Sequence, residues 1–187
     1  MITESQKKNI LNAFDLALGA LRHEFVHANK IFPFLAATAA AQAIKETGWF
    51  TSKAFLERGN WLGISPAKNQ PYVMGANGNK IRDFVEEARV KGGDPNERCF
   101  AAWAYLVVES GNYNAARAEM LAVFEVTGRP ESAARAWVAG MSPVYCESDP
   151  NYSLDIITLM DQILPMLRDN NRLPRIDQPK LHTGCAS

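Results

Sequence analysis

The segment Leu35 to Glu46 constrains the fold more than any other part of the chain. Pro33 suits a first helical position, where its missing N–H would be unpaired in any case, and Gly48 is placed to end the helix. Between them, Ala36, Ala37, Ala39, Ala40 and Ala41 carry almost no side-chain bulk. Neighbouring helices can therefore approach closely, which suits a central helix.

The flanking segments supply candidates for those neighbours. Thr3 and Gln6 form a capping box, and Leu11, Phe14, Leu18, Leu21 and Phe25 recur at helical spacing to about Asn29. Asp94-Pro95-Asn96-Glu97 is a second capping box, opening a helix with Phe100, Trp103, Ala104 and Val107. Three more helices are predicted: Asn112 to Val126 stopped by Gly128, Pro130 to Ala139 stopped by Gly140, and Pro150 to about Leu167 capped by Asp149. Tyr152, Ile156, Leu159, Ile163 and Leu167 give the last its apolar face. The stretch from Gly59 to Pro95 is glycine-rich, with Asn77-Gly78 as a turn signal between Tyr72-Val73-Met74 and the run Ile81 to Val85. It reads as a β-hairpin or irregular lobe. The expected fold is mainly α (α+β), about six helices with a small β-hairpin lobe at about 59–95. A single domain spans 1–168, and 169–187 form a loosely held polar tail.

Composition narrows the function classes. Lys plus Arg and Asp plus Glu are balanced at 20 each, so no overall field draws the chain to nucleic acid. The longest apolar stretch, Ile31 to Ala43, is too short and too rich in alanine to span a bilayer, so no membrane insertion is expected. Cys99, Cys146 and Cys185 are widely spaced and form no Cys-x-x-Cys pair, which points to reduced thiols, with Cys99 partly buried.

The chemistry concentrates in Gln42-Ala43-Ile44-Lys45-Glu46-Thr47-Gly48-Trp49, followed eleven residues later by Trp61-Leu62-Gly63-Ile64 with Asn60 before it. A glutamate near the C-terminal end of an alanine-rich helix is partly desolvated and faces the negative end of the helix dipole. Both effects raise its pKa. That is the requirement for a general acid protonating a glycosidic oxygen near neutral pH. The indoles of Trp49 and Trp61 are suited to stacking on sugar rings. The alternative is a surface glutamate closing a helix beside two core tryptophans.

The segment Gln42 to Trp49 resembles the glutamine, glutamate, (Ser or Thr)-Gly-Trp segment of the family 73 glycoside hydrolases, the flagellar rod-cap and autolysin type of endo-β-N-acetylglucosaminidase. Asn60-Trp61-Leu62-Gly63-Ile64 resembles that family's Asn-Leu-Phe-Gly-Ile, and Tyr145 with Asp149-Pro150-Asn151-Tyr152 resembles its Tyr-Ala-Thr-Asp-Pro-x-Tyr signature. Order and approximate spacing match over Phe34 to Ile163. The resemblance implies a lysozyme-like helical fold, Glu46 as the acid and Tyr145 lining the cleft beside it. It also implies that Gln42, Trp49, Asn60, Trp61 and Tyr152 contact the glycan strands of peptidoglycan. Two departures stand out. Cys146-Glu147-Ser148 makes the last signature one residue longer, and the family's second acid has only Asp83, Glu86 and Glu87 as counterparts, without its local sequence. Glu86 or Glu87 is the expected base. If one activates a water, the two carboxyl groups should stand roughly 6.5 to 9.5 Å apart with inversion; if none is essential, the substrate's acetamido group serves as nucleophile.

A second motif points to another class. His23-Glu24-Phe25-Val26-His27 matches the H-E-x-x-H of zinc peptidases. At about 100° per residue, however, both histidines point away from the apolar stripe of their helix, and no third histidine follows at the usual spacing. No metal or organic cofactor is expected. The remaining readings are a muramidase or lytic transglycosylase on the same fold, a zinc metallopeptidase, or a glycan-binding domain without turnover. The N-terminus lacks the pattern of a secretory signal, so the expectation is synthesis in a bacterial cytoplasm and action in the periplasm or cell wall. A secretion apparatus, phage tail or holin would deliver it. As a secreted antibacterial effector it would also need an immunity protein occluding the cleft.

Overall fold

The computed structural model describes residues 2–24, 30–75 and 78–174, except the side chains of His23 and Glu24. Its centre is α2 (Phe32–Thr47), in which every residue from Phe34 to Ile44 is buried. The absence of bulk along Ala36 to Ala41 lets α1 (Glu4–Glu24), α7 (Pro130–Tyr145) and α8 (Tyr152–Asp169) all pack against it, while α5 (Pro95–Val108) covers α1. The fold is mainly α with one small antiparallel sheet.

The predicted caps form. Thr3 Oγ1 accepts from Gln6 N–H and Gln6 Oε1 accepts from Thr3 N–H, so two otherwise orphaned amides are satisfied reciprocally at the start of α1. Asp94 accepts from the amides of Asn96 and Glu97 to open α5. The buried face of α1 is rotated from the expected one. Ile10, Ala13, Phe14, Ala17 and Leu21 are buried, whereas Leu11 and Leu18 are only partly so, because α1 is sandwiched between α2 and α5. On α8, Met160 and Leu164 join Tyr152, Ile156, Ile163 and Leu167, and Leu159 stays at the margin.

Eight α-helices occur among the described residues, against the six expected. The additional two are short and sit around the lobe. Ser52 caps α3 (Lys53–Arg58), which buries none of its residues and so carries no periodic apolar signal. The run Ile81 to Val85 is not one strand. β2 (Lys80–Arg82) ends where the Asp83 carboxylate accepts from Glu86 N–H at 2.9 Å and starts α4 (Phe84–Lys91). β2 pairs antiparallel with β1 (Tyr72–Met74), Val73 opposite Ile81. Of the Asn77-Gly78 turn only Gly78 lies within the described residues; its φ is +74° and its amide reaches Gly75 O.

Gly140 does not stop a helix, because α7 runs through it and through Pro143 to Tyr145. The glycine serves a close helix crossing instead. A Cβ there would lie 2.9 Å from both Cα and Cβ of Ala116 on α6 (Asn114–Thr127). Gly140→Ala is therefore expected to push α6 from α7 and lower stability by about 1–3 kcal/mol, even though alanine is the better helix former. The midpoint of urea denaturation measures it, and an unchanged or raised midpoint would contradict the close crossing.

The start of the tail is fixed rather than loose. Arg172 pairs with Asp15 of α1 at 2.8 Å and Leu173 is buried. Cys99 is fully buried rather than partly, and burial pushes its thiol up to about 12. Among the described residues no helix is long and apolar enough to cross a membrane.

Candidate active site

The local sequence Glu46-Thr47-Gly48-Trp49-Phe50 folds α2 back on itself. Gly48 takes φ +56°, its amide reaches Lys45 O, and the amide of Trp49 reaches Ile44 O at 2.9 Å. These two bonds satisfy the last carbonyls of the helix in a Schellman arrangement. The chain then stays left-handed through Trp49 (φ +59°) and Phe50 (φ +68°). Thr47, fully buried, holds this turn: its hydroxyl donates to Ala43 O and accepts from Phe50 N–H at 2.8 Å. Glu46 thus sits on the last turn of a rigid, buried helix.

The loop after α3 comes up beneath it. Asn60 is buried, and both ends of its amide are committed to backbone: Nδ2 donates to Ile64 O and Arg82 O, and Oδ1 accepts from Ile64 N–H. This ties the loop to β2 and places Gly63 under the Glu46 carboxylate. A Cβ on Gly63 would lie 2.4 Å from Glu46 Oε2, and the residue has φ +65°, so glycine is required twice over. From the other side, the Tyr152 hydroxyl donates to Glu46 Oε1 at 2.6 Å. Lys45 anchors the start of α8 where Tyr152 stands. Its ammonium lies 2.9 Å from Asp149 and 2.6 Å from Asp155, and 5.3 Å from the centre of the Tyr152 ring.

Burial is the largest influence on Glu46 and raises its pKa. The Tyr152 hydroxyl and the Lys45 ammonium pull it down, Asp149 pushes it up, and the balance leaves it above the ordinary value of 4.5. Since Oε1 is held by Tyr152 and Oε2 faces Gly63, the transferable proton belongs on Oε2. The Glu46 side chain borders an open cleft of about 780 Å3. The cleft is bounded by Ala54 of α3, by Asn60, Gly63, Ser65 and Pro66 of the loop, and by Gly78, Asn79, Lys80 and Ile81 of the hairpin. Glu46 is the only carboxylate lining it among the described residues. The arrangement can deliver one proton to a ligand in the cleft and take one back.

Several expected site residues stand elsewhere. Trp61 is 3% exposed, surrounded by Phe50, Phe55 and Phe100, and its indole N–H donates to Asn96 Oδ1, so it has no face for a sugar. Tyr152 is likewise buried and holds the acid instead of touching substrate. Tyr145 lies behind the acid, its ring 5.7 Å from that of Tyr152 and its hydroxyl donating to Leu62 O. It borders a small internal cavity with Gln42, whose side chain is buried and accepts from Trp103 Nε1. Asn60 does line the Glu46 cleft, but both ends of its amide are bonded to backbone, so it also anchors the loop. Trp49 is partly exposed but opens onto a different groove.

Neither expected base reaches the cleft. Glu86 pairs with Arg89 on α4, which holds its carboxyl below the ordinary value, and its side chain is 41% exposed. Glu87 is buried and fixed by Arg82, with Lys91 and Arg98 nearby. Burial raises its pKa, but Arg82 and then Lys91 outweigh that and leave it lowered. Asp83 caps α4 and pairs with Arg58. Local sequence reasoning missed Gly63, Thr47 and the Lys45–Asp149–Asp155 clamp, as well as the Asn79 and Lys80 wall. Only the clamp had a usable signal, in the Asp149-Pro150 segment.

The H-E-x-x-H segment falls outside the described side chains, and among the described residues no three His, Cys, Asp or Glu side chains gather as a metal site. In comparisons with known proteins, no family model matches the chain, and neither a curated protein nor a solved structure matches significantly.

Proposed function

We propose that the chain is an endo-acting peptidoglycan hydrolase cutting the β-1,4 glycan backbone, with Glu46 as acid and the substrate's 2-acetamido group as nucleophile. The observation that carries this reading is a largely buried carboxyl with raised pKa, the one carboxyl on the cleft among the described residues, held through Oε1 by the Tyr152 hydroxyl. The three motifs that resemble family 73 glycoside hydrolases converge on that carboxyl. Gln42 and Glu46 share one face of α2, Gly63 lies beneath the acid, and Tyr152 bonds it.

The chemistry we propose follows from one carboxylate on the cleft among the described residues, where most glycosidases have two. Glu46 Oε2–H gives its proton to the glycosidic oxygen while the acetamido carbonyl oxygen attacks the anomeric carbon, forming a bicyclic oxazolinium and releasing the leaving sugar. Water then displaces the acetamido oxygen from the anomeric carbon, which reopens the oxazolinium to the acetamide, and the water's proton goes to the Glu46 carboxylate, restoring the acid. Two displacements at one carbon give net retention. The resemblance places the cut after N-acetylglucosamine. A lytic transglycosylase would use the same acid but finish with attack by the sugar's own O6, leaving a 1,6-anhydro end.

The test is digestion of borohydride-reduced peptidoglycan with and without EDTA, reading fragments by mass spectrometry and the new anomer by NMR. New N-acetylglucosamine reducing ends in the retained β configuration, unaffected by EDTA, are expected. Anhydro ends would move the chain to the transglycosylases, and inversion would remove the acetamido nucleophile. Peptide cuts lost with EDTA would replace the reading with the zinc peptidase.

A further inference from the structure

Trp49 opens onto a second groove that shares no lining residue with the Glu46 cleft. The groove is about 520 Å3 and lies between the start of α1 and the outer face of α8, lined by Ile2, Gln6, Trp49 and Gln162. It continues past Ile2 and Gln162 along Pro165 and Met166 to Lys7, Asp169 and Asn170. Gln162 is about 15 Å along α8 from Tyr152, at 1.5 Å per residue.

The backbone at Trp49 indicates that the indole is there for use. Its φ of +59° is a conformation that glycine and asparagine adopt readily and a bulky residue adopts at a cost of roughly 1–2 kcal/mol. Phe50 is left-handed too, but it is buried against Phe55 and Trp61, so packing accounts for it. Trp49 makes no ring contact with Phe50, Phe55 or Trp61, and one side of it packs against the core while the other stays open. It stays partly exposed, whereas Trp61, Trp103 and Trp137 are 3%, 2% and 2% exposed. Strain retained at a partly open aromatic beside a groove is consistent with a binding position.

The lining fits one kind of ligand. At the Trp49 end the lining is one indole, two carboxamides and an isoleucine, and the ionised Lys7 and Asp169 stand only at the far end of the groove. Gln6 Oε1 is taken by Thr3 N–H, which leaves its NH2 group to donate, and both ends of the Gln162 amide face solvent on the exposed side of α8. A neutral ligand with an apolar face and a fringe of hydroxyl and amide groups matches this set, which is the description of an N-acetylated pyranose.

We propose that the groove is a second, non-catalytic glycan-binding site with Trp49 as its stacking platform and Gln6 and Gln162 as its hydrogen-bonding arms. It grips the insoluble strand while the Glu46 cleft acts on it; the identity of the sugar as the cell-wall glycan rests on the function proposed above. The site itself stands on the groove.

The test uses full-length Glu46→Gln protein, so that binding is read without turnover. It is titrated with soluble N-acetylglucosamine oligomers by intrinsic fluorescence and co-sedimented with peptidoglycan sacculi. Trp49 is the one tryptophan of the four that a ligand reaches directly, so its emission is expected to shift. Trp49→Asn, which relieves the left-handed strain but removes some packing on the core and is therefore checked for an unchanged circular dichroism spectrum, is expected to abolish the shift and weaken sacculus binding by about tenfold, the scale of losing one aromatic anchor. Gln162→Ala, on the exposed face of α8, is expected to weaken it less. Binding unchanged in both variants, or no binding before either change, overturns the proposal. Binding through Trp49 with no cleavage by the wild type would end the hydrolase reading and leave this site standing.

Discussion

Glu46→Gln lowers kcat/KM for glycan cleavage by about a thousandfold, within the range for removing a positioned general acid. The substitution is close to isosteric, and the carboxamide oxygen still accepts from the Tyr152 hydroxyl that now meets Oε1 at 2.6 Å. What disappears is the proton on the other oxygen. Wild-type activity should fall as pH rises through a pKa above the ordinary glutamate value of 4.5, because burial holds the proton on Glu46. Stability carries the same signature. A carboxyl whose native pKa is raised contributes fully below the unfolded value and loses that contribution as pH rises through the native one. The variant has no such carboxyl, so its melting temperature relative to wild type should increase from pH 4 to pH 8. A variant that loses activity together with stability at pH 8 would place Glu46 among structural residues. One that keeps activity would remove it from the chemistry.

That trade of stability for a protonated carboxyl explains which parts of the site were legible from the sequence. Signals that depend on a few neighbouring residues survived. The Thr3–Gln6 and Asp94 caps, the left-handed Gly48 and the central alanine helix all follow from local hydrogen bonding and side-chain volume. Signals that depend on what lies across the fold did not. Trp49 and Trp61 look equivalent beside an acid, yet one is on the surface and the other is enclosed by three phenylalanines. Gly140 looks like a helix stop because the alternative, a 2.9 Å approach to Ala116, is set by a different helix. Tyr152 was read as a substrate contact because its motif leads into the site. Only the packing of α8 on α2 shows that it reaches the acid from behind. The short helices α3 and α4 escaped for a simpler reason, since neither is long enough to repeat an apolar period.

Glu87→Ala tests the remaining carboxylate and should act on the fold instead of the reaction. Glu87 Oε2 accepts from Arg82 Nε at 3.0 Å and Nη2 at 2.8 Å, joining β2 to α4, while Oε1 faces Lys91 and Arg98. The two side chains are 5% and 12% exposed, and the guanidinium lies 4.4 Å over the Phe84 ring. Removing the carboxylate leaves a largely buried cation without its partner, which costs about 3–5 kcal/mol. Urea denaturation is expected to register a loss of that order, with activity per folded molecule nearly preserved because Glu87 does not border the cleft. The pH signature runs opposite to that of Glu46. A lowered native pKa gives stability that is present above 4.5 and lost as pH falls through the native value, so the gap between wild type and variant should close in acid. Replacing both partners, Arg82→Met with Glu87→Leu, should recover much of the loss, because the cost lies in the unpaired charge rather than in the missing bridge. If instead Glu87→Ala folded normally and lost turnover as severely as Glu46→Gln, a second carboxylate would be acting in the reaction and the acetamido mechanism would have to give way to a water-activating base.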